Sequence, residues 1–130
     1  MVINGQKIYN SRSMDKSLKQ KSREFAVKVV FLHKQLSARR KETVMSEELL
    51  RSGAGVGADL AKAECALSKN DKIARVYKAL QSCAEAKYWI ELLNDTDYLT
   101  EFEFSDTLKN CDELGKQLVA LIKTLRATNS

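Results

Sequence analysis

Residues 100–126 read TEFEFSDTLKNCDELGKQLVALIKTLR, and their spacing decides the fold. From Phe104 the seam steps to Leu108, Cys111, Gly115, Leu118, Ile122 and Leu125, alternating fours and threes. That heptad repeat keeps one stripe of a helix facing a partner along its length. Leu114 and Leu121 widen the stripe to the breadth of a core-facing helix. Thr100-Glu101-Phe102-Glu103 supplies the start, a hydroxyl that caps an N-terminal amide and a glutamate three residues on that reaches back. A helix apolar on one side must bury that side, so matching stripes are required elsewhere in the chain.

Three further segments provide them. Over residues 16–40, Leu18, Phe25, Val29, Leu32 and Leu36 share one helical face. A second helix is expected from Ser46, read as its N-cap, with Glu47 and Glu48 suiting the positive end of the helix dipole. It carries Leu49, Leu50, Val56, Leu60, Ala63 and Ala66. Ser68-Lys69-Asn70-Asp71 opens a third, with Asp in place of the usual Glu or Gln of a capping box. Its main face is read as Ile73, Val76, Tyr77, Leu80, Cys83, Ala84, Tyr88 and Leu92, while Ala79, Ala86, Trp89 and Leu93 add apolar surface elsewhere. A helix apolar around much of its circumference is covered by more than one neighbour. Short connections make sequential helices antiparallel. The expectation is an all-α, antiparallel up-down-up-down four-helix bundle over residues 16–127, preceded by a polar, aperiodic and flexible N-terminal arm, residues 1–15. The absence of proline and a count of five glycines agree, since turn-rich β folds draw on both.

At 130 residues, 44% hydrophobic and 30% charged, the chain is long enough for one core and has the balance of a soluble globular domain. Three cysteines, Cys65, Cys83 and Cys111, form an odd set without a Cys-x-x-Cys pair. With no signal-like apolar stretch at the start, this reads as reduced thiols in a cytoplasmic protein with no membrane span.

Catalytic groups are sparse. His33 is the single histidine and reads as structural. No Glu-x-x-His pair of the di-metal bundles occurs, Glu85 and Glu91 read as solvated carboxylates, and the thiols read as small hydrophobes. Gly53, Gly55 and Gly57 lie inside the second helical pattern. No strand precedes them, and their spacing matches neither the dinucleotide nor the Walker loop. At about 1 kcal/mol each relative to alanine, they point instead to close backbone approach or a kink. The reading is of a protein that is not an enzyme, with no catalytic residues, metal or cofactor.

Charge is unevenly placed. Through residue 41 there are eleven basic residues against Asp15 and Glu24, a surplus of nine, which leaves the remainder four negative within the total of +5. Lys16, Lys19, Arg23, Lys34, Arg39, Arg40 and Lys41 are the candidate contact set for RNA or DNA phosphates, with Arg51 a further candidate. Val27, Val30 and Phe31 fall away from the core stripe of the same helix and, with Trp89 and Leu93, form the candidate oligomer interface.

A resemblance sharpens this reading. Glu48-Leu49-Leu50-Arg51-Ser52, Val56-Gly57-Ala58-Asp59-Leu60-Ala61, Ala63, Ala66-x-Ser68-Lys69-x-Asp71 and Glu85-Ala86-Lys87-Tyr88-Trp89-Ile90-Glu91-Leu92-Leu93 resemble the four-helix-bundle proteins encoded in intervening sequences of bacterial large-subunit ribosomal RNA genes. Phe25-Ala26 fits as well, so the similarity spans residues 16–125. The resemblance implies the bundle, a ring-like homopentamer, and a relationship to the accessory proteins of diversity-generating retroelements, which bind nucleic acid. The chain departs from the family where Ala54-Gly55-Val56 precede Gly57-Ala58-Asp59 in place of Thr-Ser-Ile before Gly-Ala-Asn, and where Lys62 replaces a Glu. Two functional readings follow: a homo-oligomer that binds RNA or DNA through its first helix, or a protein–protein interaction scaffold with no nucleic-acid role.

Overall fold

The computed structural model describes residues 13–128, with side chains from residue 18 onward. Four helices account for it: α1 (Ser13–Arg39), α2 (Val44–Glu64), α3 (Lys69–Asp95) and α4 (Glu101–Ala127). There is no strand among the described residues. Each helix packs on its neighbours in sequence and α1 closes the square against α4, the antiparallel up-down-up-down bundle expected. The expected arm lies outside the described residues except for positions 13–15, which already belong to α1.

The core takes one stripe from each helix: Leu18, Phe25, Val29, Leu32 and Leu36 from α1; Leu49, Val56, Leu60 and Ala63 from α2; Cys111, Leu114, Leu118, Leu121 and Ile122 from α4. In α3 the stripe differs from the expected one. Val76, Ala79, Cys83, Ala86, Ile90 and Leu93 are buried in steps of three and four, whereas Tyr77 and Tyr88 face solvent. The helix is apolar on several sides, so periodicity alone does not select a face. Packing selects the side with Ala79 and Ala86, which lets neighbouring helices come close, and leaves the tyrosine hydroxyls wet.

Both ends of α2 differ from expectation: it stops at Glu64, leaving Ala66 in the connection, and its start is capped differently. Ser46 is not an N-cap; it lies fully buried within α2, which starts at Val44. The cap is the buried Glu42 carboxylate, which accepts from the backbone amides of Met45 at 2.9 Å and Ser46 at 2.8 Å. Ser46 Oγ instead lies 2.8 Å from His33 Nδ1, tying α2 to α1. Lys41 holds a left-handed backbone (φ 58°), and the Glu42 amide reaches back to Leu36 O at 2.9 Å, so α1 closes without a glycine. The other caps are as read. Ser68 accepts from the Asp71 amide, and Thr100 and Glu103 form a complete capping box.

Glu103 has a second partner. The Arg40 guanidinium, at the end of α1, grips both its carboxylate oxygens at 2.8 and 3.2 Å and donates to Tyr98 O at 3.0 Å. The hydrogen bond from Arg40 holds the Glu103 carboxyl below its ordinary value near 4.5, against the opposing effect of burial. A carboxyl whose pKa falls on folding stabilises the native state above its unfolded value, and that contribution is lost as pH falls through the folded one. Glu103→Gln keeps an oxygen for the cap but removes the charge and turns the second acceptor of Arg40 into a donor. We expect it to lower unfolding free energy by about 1–2 kcal/mol at pH 7. The gap to the parent should close well below pH 4.5, as read from urea midpoints across pH.

The three glycines of α2 face different neighbours. A Cβ on Gly53 would sit 3.1 and 3.2 Å from the two Val29 methyls and 3.3 Å from Phe25, so α1 and α2 touch there because the side chain is missing. On Gly55 it would meet Ser82 Oγ at an ordinary 3.5 Å. Opposite signs follow. Gly55→Ala should raise stability by about 0.5–1 kcal/mol through helix propensity. Gly53→Ala should lower it by about 1 kcal/mol or more, because the stiff, buried Val29 has no room to yield. Denaturant unfolding of the two variants checks both.

Candidate nucleic-acid interface

The basic residues of α1 do not form one free patch; the fold divides them by angle around the helix axis. Those on its flanks are drawn into ion pairs with adjacent helices. Lys19 pairs with Glu64 of α2 at 3.0 Å, and Lys28 with Asp106 of α4 at 2.5 Å. Arg40 is committed to Glu103 and Tyr98 and is half-buried, so it holds the bundle rather than facing a ligand. Its place in the expected contact set is therefore corrected: the residue sits just past the end of α1, beside the start of α4.

Arg23, Lys34, Arg39 and Lys41 are exposed. Arg23 and Arg39 have no ion-pair partner among the described residues. Lys34 lies 5.7 Å from the Phe31 ring centroid in a cation–π contact, and Lys41 Nζ donates to Ala38 O at 3.3 Å, over the C-terminal end of α1. The Lys16 side chain lies outside the described residues. At about 100° per residue, Arg23, Val27 and Lys34 fall within one sector opposite Leu18, Val29 and Leu36. The outward face of α1 is thus mixed. Val27 is 48% and Phe31 61% exposed, with Val30 half-buried beside them.

The remaining interface candidates part company. Leu93 is fully buried inside its own subunit's core and offers no surface to a second copy. The degenerate apolar pattern of α3 explains the misassignment. Trp89 is half-buried; its indole N–H donates to Glu85 at 2.9 Å, and its ring stands edge-on to Tyr88 with centroids 5.0 Å apart. Glu85 also receives Arg51 from α2, which bonds Glu48 as well. Glu85 is therefore the centre of an inter-helix network rather than a solvated carboxylate, and Arg51, though exposed, is already paired. The Glu48–Arg51 spacing of three was visible in the sequence; the partner across the helix boundary was not.

His33, half-buried, lies between Ser46 and Ser37, with Nδ1–Oγ distances of 2.8 and 3.4 Å. No group of three His, Cys, Asp or Glu able to hold a metal ion occurs among the described residues. None of the described helices is long and apolar enough to cross a membrane.

The chain matches the model of the 23S rRNA-intervening sequence protein family over residues 14–120. It is similar to a crystal structure of a protein of unknown function from the S23 ribosomal protein family of Bacteroides thetaiotaomicron VPI-5482. The two share 41% sequence identity with a TM-score of 0.83, across 85% of this chain and 98% of that one. No curated protein matches it. Sequence and fold agree over the same helices, and the chain belongs to the 23S rRNA-intervening sequence protein family.

Proposed function

We propose that this chain is a non-catalytic, self-associating bundle that binds RNA or DNA phosphates through cations on the outward face and at the C-terminal end of α1. The observation that carries this reading is the group of exposed cations that α1 and the turn after it keep once the inter-helix ion pairs are made: Arg23, Lys34, Arg39 and Lys41. A phosphate backbone is recognised by such charges without base readout. No helix-turn-helix or row of exposed aromatics accompanies them among the described residues, so affinity for any one sequence is not expected. The matching family is described by an intervening sequence of 23S rRNA and the similar structure by a ribosomal protein family, both RNA settings.

Few cations per subunit make a weak contact. Repetition in an oligomer, a pentamer by the family resemblance, raises their joint affinity through effective concentration. Val27 and Phe31 supply apolar surface for that association. The same exposed pair favours the second reading, a protein–protein scaffold whose cations only solubilise.

One variant separates the two. Arg40 must be left intact, because its loss unclasps α1 from α4; Arg23→Glu, Lys34→Glu and Arg39→Glu together reverse the outward charge while sparing the core. We expect the parent protein to retard RNA or DNA at low salt, with affinity falling steeply as salt rises, and the triple variant to lose at least tenfold in affinity. Unchanged or salt-insensitive retardation by the variant overturns the phosphate mechanism, and no retardation by the parent leaves the scaffold reading. Light scattering should show a multimer that Phe31→Glu dissociates; a monomeric parent overturns the self-association.

A further inference from the structure

Cys83 and Cys111 come from different helices, and neither has a local motif. The heptads of α3 and α4 nevertheless put them face to face. Their Sγ atoms lie 3.8 Å apart, and each sulfur approaches the other residue's carbonyl oxygen, at 3.3 and 3.4 Å. Small neighbours make this possible. Ala79 and Ala86 flank Cys83 on its stripe, and a Cβ on Gly115 would lie 3.9 Å from Cys83 Sγ. The two thiols are almost wholly covered, yet they line a groove of about 560 Å³ between α3 and α4. Leu80, Ala84 and Val119 line it too, and a half-exposed Lys87–Asp112 ion pair at 3.0 Å bridges the two helices beside it.

We propose that Cys83 and Cys111 form a redox-active dithiol that takes a hydroperoxide from this groove and closes to an intramolecular disulfide. Cys83 is the attacking sulfur: Lys87 lies one helical turn on from it in α3, whereas the Asp112 carboxylate adjoins Cys111. A hydrogen bond from Cys111 lowers its pKa, with burial opposing, Asp112 raising it and Lys87 lowering it, while the pKa of Cys111 itself is pushed up by the same hydrogen bond and by burial. In the first step the Cys83 thiolate attacks one peroxide oxygen. The S–O bond forms, the O–O bond breaks, and the departing alkoxide, or hydroxide from hydrogen peroxide, takes a proton from water. Cys83 is now a sulfenic acid, its sulfur oxidised by two electrons and the peroxide reduced by the same two. Cys111 then gives up its proton and attacks Cys83 sulfur; the S–S bond forms, the S–O bond breaks and water leaves. The sulfurs must close from 3.8 Å to about 2.05 Å. Cys65, exposed and alone at the end of α2, is the internal control.

The test uses the full reduced chain, treated with hydrogen peroxide, quenched with an alkylating agent under denaturing conditions and mapped by peptide mass spectrometry. We expect a peptide pair joined through Cys83 and Cys111, lighter than its two reduced parts by two hydrogens, within single subunits and reversed by dithiothreitol. The melting temperature should rise by about 5–10 °C on oxidation and return on reduction. In Cys111→Ser a dimedone adduct should form at Cys83, and in Cys83→Ser none should form at Cys111. Should either variant fold poorly, the parent's peptide map decides alone. If Cys83 and Cys111 both stay alkylatable while Cys65 is oxidised, or if the cross-link joins only separate subunits, the pair is inert packing and the proposal falls.

Discussion

The contact of Gly53 with Val29 and Phe25 sets how closely α1 and α2 lie, and much else follows from that spacing. Phe25, the largest wholly buried side chain, fills the centre only because no Cβ opposes it on α2. Farther along the same pair of helices, the spacing lets His33 reach Ser46 and leaves Ser22 facing Gly57. A close-packed interior transmits any change in one spacing to the next, so the remaining helices take their places relative to this pair. The helical-propensity cost of a mid-helix glycine is offset here by burial of an aromatic ring and a valine.

That placement also sorts the cations of α1. A side chain's angle around the axis, rather than its type, determines whether it is bound or free. Lys19, Lys28 and Arg40 lie near the seams with α2 and α4 and find carboxylates there. Arg23 and Lys34 lie where no helix follows. A surplus of charge counted along the sequence therefore overstates the charge available to a ligand, because part of it is neutralised in binding the bundle together. The exposed Phe31 and Val27 share the outer sector with what remains, so any partner must accept both oil and charge.

The stripes of α1, α2 and α4 were legible because each helix has one dominant run of apolar residues at helical spacing, even with Val27 and Phe31 lying off the stripe of α1. The capping residues Ser68 and Thr100 were legible for a similar reason: the motif is local and its partners lie within one turn. The α3 stripe was not, since Tyr77 and Tyr88 compete with Ala79 and Ala86 for the same period. The start of α2 was missed because its cap is a glutamate working from outside the helix, Glu42, while the obvious candidate, Ser46, bonds to His33. In the candidate site, the exposed Arg23, Lys34 and Lys41 were readable from helical angle; Arg39 was not, since its angle falls near that of Leu32 and it is exposed at the last residue of α1. The engagement of Arg40, Arg51 and Glu85 was not, because each depends on a carboxylate or cation many residues away. The Cys83–Cys111 pair is of the same kind, invisible until two heptads are set in register.

The two ends of the bundle are fastened unequally. At one end sit the turn at Lys41, the Glu42 cap, the Asp97 turn, and Arg40 holding Glu103 and Tyr98 together. At the other, where α2 passes to α3, Ser68 and Asp71 satisfy one amide each, and Leu67 lies almost bare in solvent. Cooperative units open first where fewest buried contacts must be broken. The rods should therefore fray from the α2–α3 corner inward, like tongs hinged at the clasped end, with amide protons there trading with solvent long before those beside Glu103.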